Sequence, residues 1–158
     1  MSHARVIQDS AGIDALLARL GPAGRVAVLG IKTAAQADQP AYYVPAYLAS
    51  PAAGLEVVPV PVYYPEARVI LGQPVYRRLV DVPGAIDLVD VFRRPKDLEA
   101  HLDDILAKRP AAVWLQLGIR DDAFAARLVD AGIDVVQDRC LMVEHRRWKH
   151  GAGAGATR

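Results

Sequence analysis

Residues 25–48 read RVAVLGIKTAAQADQPAYYVPAYL: an apolar run ends in a single glycine, Gly30, and leads through a polar loop into a segment of helical pattern. That order is the opening strand–loop–helix unit of an α/β nucleotide-binding fold. The run at 26–30 is followed by others rich in Val, Ile and Leu at 55–59, 86–92, 111–116 and 133–137, with room between them for crossover helices. Near-continuous apolar strands predict a sheet covered on both faces. Helices are predicted over 40–49, 95–108 and 121–131. In the second, Leu98, Leu102, Ile105 and Leu106 share one face, with Pro95 in the first turn and Pro110 beyond the last. In the third, Phe124, Leu128 and Val129 form the buried stripe and Gly132 stands at the C-terminal cap. The expected architecture is α/β: an open parallel five-stranded sheet with right-handed crossovers and helices on both faces, in three layers. A further helix is expected at 10–20, with Ser10 as cap, within an N-terminal extension covering 1–22. The main domain covers 23–149. The final GAGAGATR predicts disorder over 150–158, and the Pro- and Gly-containing 63–76 an elaborated loop that serves as a ligand lid or as packing.

Composition narrows the partners. The chain of 158 residues carries 19 Lys and Arg against 18 Asp and Glu, a net charge of +1, which gives no overall field for nucleic acid or an anionic membrane. An anionic ligand must therefore be held locally. The single cysteine, Cys140, excludes an internal disulfide framework and fits a reducing compartment. No apolar run approaches the ~20 residues that span a bilayer, so the expected location is cytoplasmic. His3, His101, His145 and His150 are scattered without metal-ligand spacing, and no metal site is assigned.

In an open α/β sheet, ligands bind beyond the carboxyl ends of the strands, which gives the loops after Gly30, Pro59, Phe92 and Gln116 the functional weight. Gly30 allows backbone to approach a phosphate, and the N–H groups that follow could receive its charge. The NAD fingerprint needs further glycines in this loop and an acid closing the second strand. Here the loop reads Gly30-Ile31-Lys32-Thr33 and the second strand leads into Val60-Pro61-Val62-Tyr63, so both requirements fail. A neutral strand edge with a nearby cation tolerates a phosphorylated ribose, as in coenzyme A or NADP, which a carboxylate would repel. The Walker phosphate loop is absent too.

The segments VAVLG, QPAYYVPAYL, VVPVPV, LGQPVY, IDLVDVFRRP, AVWLQLGI and AGIDVVQDRCLMVEHRR, in this order across residues 24–147, resemble the small stand-alone CoA-binding domain proteins. These are similar to the nucleotide-binding domain of the succinyl-CoA synthetase alpha subunit. The resemblance implies a Rossmann-like sheet with CoA or an acyl-CoA at its carboxyl edge. Carried over, Gly30, Ile31, Lys32 and Thr33 would line the pyrophosphate loop, and Tyr42, Tyr43 and Val44 would sit beside the nucleotide. Pro59, Val60 and Pro61 would wall the adenosine. Phe92, Arg93 and Arg94 would close the third-strand loop, and Gln116, Leu117, Gly118 and Ile119 the fourth. One departure is Gln39, where family members often carry an arginine. The synthetase's phosphorylated histidine lies in a second domain with no counterpart here, so synthetase activity is not implied.

The residues themselves leave alternatives open. Arg93 and Arg94 suit a guanidinium grip on phosphate or a solvated helix cap, and one of Tyr42 and Tyr43 is expected at the ligand. Trp114 reads as core. Cys140 reads either as a reactive thiol beside Arg139 or as a structural cysteine beside an Asp138–Arg139 ion pair. The leading expectation is a non-catalytic or regulatory CoA-binding protein with no catalytic residues. The alternatives are a small NADP-dependent oxidoreductase, an acyl-CoA-handling enzyme using Cys140, or a scaffold acting through protein contacts alone.

Overall fold

The computed structural model describes the backbone of residues 3–156. Five parallel strands form the sheet: β1 (Arg25–Leu29), β2 (Glu56–Val60), β5 (Leu88–Val91), β6 (Ala112–Leu115) and β7 (Asp134–Val136), in the order β2-β1-β5-β6-β7. Each is mostly apolar, with at least one Val in every strand, because both faces are covered. Val26, Val28, Val57, Leu88 and Trp114 pack with Ile13, Leu17, Val44, Leu48 and Leu141, which places α1 (Ser10–Leu20), α2 (Pro40–Ala49) and α5 (Leu141–Ala156) on one face. Ala27, Leu29, Val89, Val113 and Val135 pack with Leu102, Ile105, Phe124 and Leu128, which places α3 (Leu102–Lys108) and α4 (Asp122–Asp130) on the other. The three-layer parallel architecture stands as expected. β1 pairs with both β2 and β5, so the connection reverses direction between β1 and β5, the switch point at which such sheets open a crevice.

Two local expectations need correction. The cap of α1 is Asp9, one residue before Ser10; its carboxylate accepts the Gly12 N–H at 3.2 Å, and Ser10 is already inside the helix. The helix expected over 95–108 opens as two 3₁₀ turns, Pro95–Asp97 and Glu99–His101, before α3 begins at Leu102. Asp97 is drawn back onto Arg94 at 3.0 Å, and three-residue hydrogen bonds such as Leu98 N–H to Pro95 tighten the turn. Segment 63–76 contains a short hairpin, β3 (Val69–Ile70) with β4 (Gln73–Pro74), and is held shut by Arg77, which donates to the carbonyls of Tyr63, Tyr64 and Ala67 at 2.8–3.0 Å. Helix α5 runs to Ala156, and residues 157–158 of the expected tail lie outside the described residues.

Candidate functional site

At the carboxyl edge of the sheet, the loops after β1, β5 and β6 and the start of α2 and α5 enclose a cleft of about 400 Å³, within the size of small-ligand sites. It lies over the β1–β5 switch point. Lys32, Gln39, Pro40, Ala41 and Tyr43 form one wall, Phe92, Arg93, Arg94 and Pro95 the floor, and Gln116, Leu117, Gly118, Ile119 and Cys140 the other wall. Of the two adjacent tyrosines, Tyr43 faces the cleft and is 40% exposed, whereas Tyr42 packs against the α1–α2–α5 core. Leu117, 70% exposed on the turn made by Gly118, offers an apolar lip.

Several expected ligand residues are occupied elsewhere. In the turn after β1 three N–H groups are bonded inside the protein: Gly30 donates to Val60 at 2.9 Å, Lys32 to Ala41 at 3.0 Å, and Thr33 to the Gln36 side chain at 3.2 Å. Of that loop only the Lys32 side chain reaches the cleft, where it donates to Gln39. Gly30 owes its glycine to the protein. Its φ is +88°, and a Cβ there would collide with the Phe92 carbonyl oxygen. Ile31 and Val44 are core residues. Val60 is fully buried, Pro61 is buried, and Pro59 accepts the N–H of Tyr76, the last residue of the 63–76 loop, at 3.0 Å.

The cationic floor is built more carefully than the sequence shows. Arg93, with a side chain 27% exposed, donates Nε to His101 Nε2 at 3.1 Å, and its Nη2 lies 3.9 Å from Asp97. Arg94 is 72% exposed and pairs with the same carboxylate. Burial alone would raise the Asp97 carboxyl, but the Arg94 hydrogen bond and the charges of Arg94, Arg93 and Lys96 together bring it below its ordinary value. Gln116 is buried at the end of β6, and its Oε1 accepts the Leu141 N–H at 3.1 Å, holding the first turn of α5 against the cleft. Gln116→Leu leaves that N–H unpartnered and is expected to cost about 1–3 kcal/mol in a denaturant titration. Trp114 is core, as expected, and donates Nε1 to the Arg139 carbonyl at 2.7 Å. The expected Asp138–Arg139 pair gives way to other partners: Asp138 accepts the Gly118 N–H at 2.7 Å, while Arg139 reaches the Gln8 carbonyl at 2.6 Å and lies 3.8 Å from Glu144. Cys140 is half-buried on the cleft wall.

Sequence reasoning missed Pro40, Ala41 and Pro95 as lining, and it missed His101 as the partner of Arg93 and Asp90 as a buried acid. An acid within the apolar run 86–92 was a visible signal. Nothing in the spacing of Arg93 and His101 announces their contact.

A model of the CoA binding domain matches residues 24–146. The chain belongs to that CoA-binding domain family. It is 32% identical over 93 residues to the uncharacterized protein YneT of Bacillus subtilis (strain 168), covering 59% of this chain and 67% of that one. Among solved structures it is similar to the cell-free ID.343 protein of Thermus thermophilus, with 40% identity and a TM-score of 0.77 over 89% of this chain and 99% of that one. A hypothetical protein of Pyrococcus horikoshii OT3 shares 27% identity and a TM-score of 0.75 over 94% and 99%. A family member's ligand is small, and this cleft collects cations and apolar walls in one place at the switch point. Among the described residues no helix is long and apolar enough to cross a membrane.

Proposed function

We propose that the cleft holds coenzyme A or an acyl-CoA through its 3′-phosphoadenosine diphosphate part, and that the protein is a non-catalytic or regulatory binder. The observation that carries this reading is the convergence, at the β1–β5 switch point of a CoA-binding domain, of Lys32, Arg93 and Arg94 with Tyr43, Phe92 and Leu117. Phosphates need cations that stay fixed, and Arg93 is fixed by His101 and Asp97. The adenine and the pantetheine chain need apolar surface, which the aromatic and leucine side chains offer. The Gly30, Lys32 and Thr33 N–H groups of the β1 turn are bonded internally, which gives the side chains a large share of the recognition.

Calorimetric titration with CoA, dephospho-CoA, NADP and NAD tests the reading. CoA is expected to bind most tightly, with dephospho-CoA weaker by the loss of its 3′-phosphate; no heat with CoA at millimolar concentration overturns it. Arg93→Ala and Lys32→Ala are each expected to weaken CoA binding by about 1–3 kcal/mol, the worth of a charged hydrogen bond. Unchanged affinity in both variants moves the ligand to another part of the surface.

A further inference from the structure

The contact behind Arg93 has a use beyond packing. His101 ends the second 3₁₀ turn, half-buried, and does not line the cleft. Its Nε2 accepts the Nε–H of Arg93 at 3.1 Å, which requires that this nitrogen carry no proton. The bond fixes the plane of the guanidinium from behind and leaves its terminal amino groups for Asp97 and for whatever enters the cleft. A protonated imidazole has no lone pair for Arg93. It would also set a second cation against the first at hydrogen-bond distance.

We infer that His101 is a positioning residue that makes ligand binding dependent on pH, holding Arg93 in its phosphate-gripping pose while neutral and releasing it when protonated. The inference rests on the proposed CoA site, since it assigns Arg93 to the ligand's phosphates. The neutral form is the favoured one here: burial lowers the imidazole's affinity for a proton, and the charge of Arg93 lowers it further. Two carboxylates oppose this, Asp104 from α3 and Asp97 from the preceding turn. Both have other duties. Asp104 accepts the Leu79 and Val80 N–H groups at 2.7 and 3.1 Å, and Asp97 is shared between Arg93 and Arg94. On the 3₁₀ turn of His101 itself, Glu99 is taken by Arg127 of α4 at 3.1 Å. A proton on His101 adds positive charge behind the arginine rather than at the ligand, while it removes the bond that aims the arginine. Loss of aim therefore dominates, and affinity falls on acidification.

The test is CoA titration of the wild type, Arg93→Ala and His101→Gln between about pH 7.5 and about pH 5.5, the range that brackets an ordinary histidine. Glutamine offers an acceptor oxygen at a similar reach and does not titrate. The wild-type dissociation constant is expected to rise more than that of His101→Gln, by up to about fivefold at the acidic end, since the tenfold worth of one charged hydrogen bond is only partly expressed at that pH. Comparing the two proteins removes the ligand's own phosphate titration, which both experience. Equal pH profiles overturn the inference, as does tighter binding of the wild type at the acidic end. The site reading fails separately, through absence of CoA binding at pH 7.5 or an Arg93→Ala variant with unchanged affinity. Should His101→Gln fold poorly, the wild type alone decides by NMR of its histidine rings. Linkage requires saturating CoA to move the His101 midpoint down by about one pH unit, the same tenfold read from the other side. A midpoint that stays or moves up overturns the inference.

Discussion

Gly30→Ala will destabilise the fold by about 2–5 kcal/mol, through a strained backbone and a forced overlap acting together. With φ at +88°, the position lies where L side chains carry strain. Besides striking the Phe92 carbonyl oxygen, the added Cβ would sit 3.1 Å from the Phe92 carbonyl carbon and 3.2 Å from Arg93 Cδ. The neighbours cannot give way cheaply. Gly30 N–H is bonded to Val60 and Phe92 N–H to Leu29, both at 2.9 Å, so both sides of the contact are tied into the parallel ladders of β1. Relief would push Phe92 and Arg93 into the cleft, so CoA affinity should fall in the same variant. Gly72→Ala supplies the control. Its φ is +74° but nothing lies within 4 Å of its Cβ position, so only the backbone strain of about 1–2 kcal/mol applies. Equal losses for the two variants in urea unfolding would show that the close approach to Phe92 contributes nothing.

That example marks the boundary of what the chain disclosed by itself. Apolar runs and helical periodicities are local properties, and they located the five strands of the parallel sheet and the whole of α2 at Pro40–Ala49, but not the hairpin of β3 and β4. A glycine after a strand was visible too, but its reason was not. The same residue satisfies a phosphate-cradle reading and a packing reading, and the packing one rests on the placement of Phe92 beneath it. The β1 turn shows the same limit: whether its N–H groups are free depends on where Val60, Ala41 and Gln36 come to lie. Pro59 is likewise tied through its carbonyl to the Tyr76 N–H, a contact that no local pattern announces. The cationic residues transferred better. A charged side chain after an apolar strand has to leave the core, so Lys32, Arg93 and Arg94 were bound to surface at the sheet's carboxyl edge, and the three meet in one cleft.

Replacing Asp90 by asparagine is expected to stabilise the protein at neutral pH, by an amount that grows with pH. Asp90 lies within β5, the central strand, flanked by Val28 of β1 and Trp114 of β6. It is fully buried, and neither carboxyl oxygen has a hydrogen-bond partner among the described residues. Burial pushes its pKa well above the ordinary carboxylate value. The sign follows from proton linkage. Below the unfolded-state value near pH 4 both states hold the proton and Asp90 confers no pH dependence; above it the unfolded chain releases the proton while the folded protein keeps it. Folding stability therefore falls with rising pH, by up to about 1.4 kcal/mol per pH unit until the folded state itself titrates. Asparagine has the shape of the neutral acid and cannot ionise, so the variant lacks this loss. The other shifted groups act differently. His101 and His145 are lowered chiefly by burial, so their contribution is lost as pH falls from the ordinary histidine range towards their folded values. Asp9 and Asp122 are lowered, and act only below pH 4. The difference between variant and wild type cancels all of them. Measured by denaturant unfolding from about pH 4 to about pH 8, that difference should be smallest at the acidic end and grow steadily as the pH rises above the ordinary carboxylate value. Asp90→Val should gain further at every pH, since it also removes the unpartnered polar atoms. A difference that does not change with pH would mean that Asp90 is ionised in the folded protein, and would make the acid a paired group rather than a neutral one in the core.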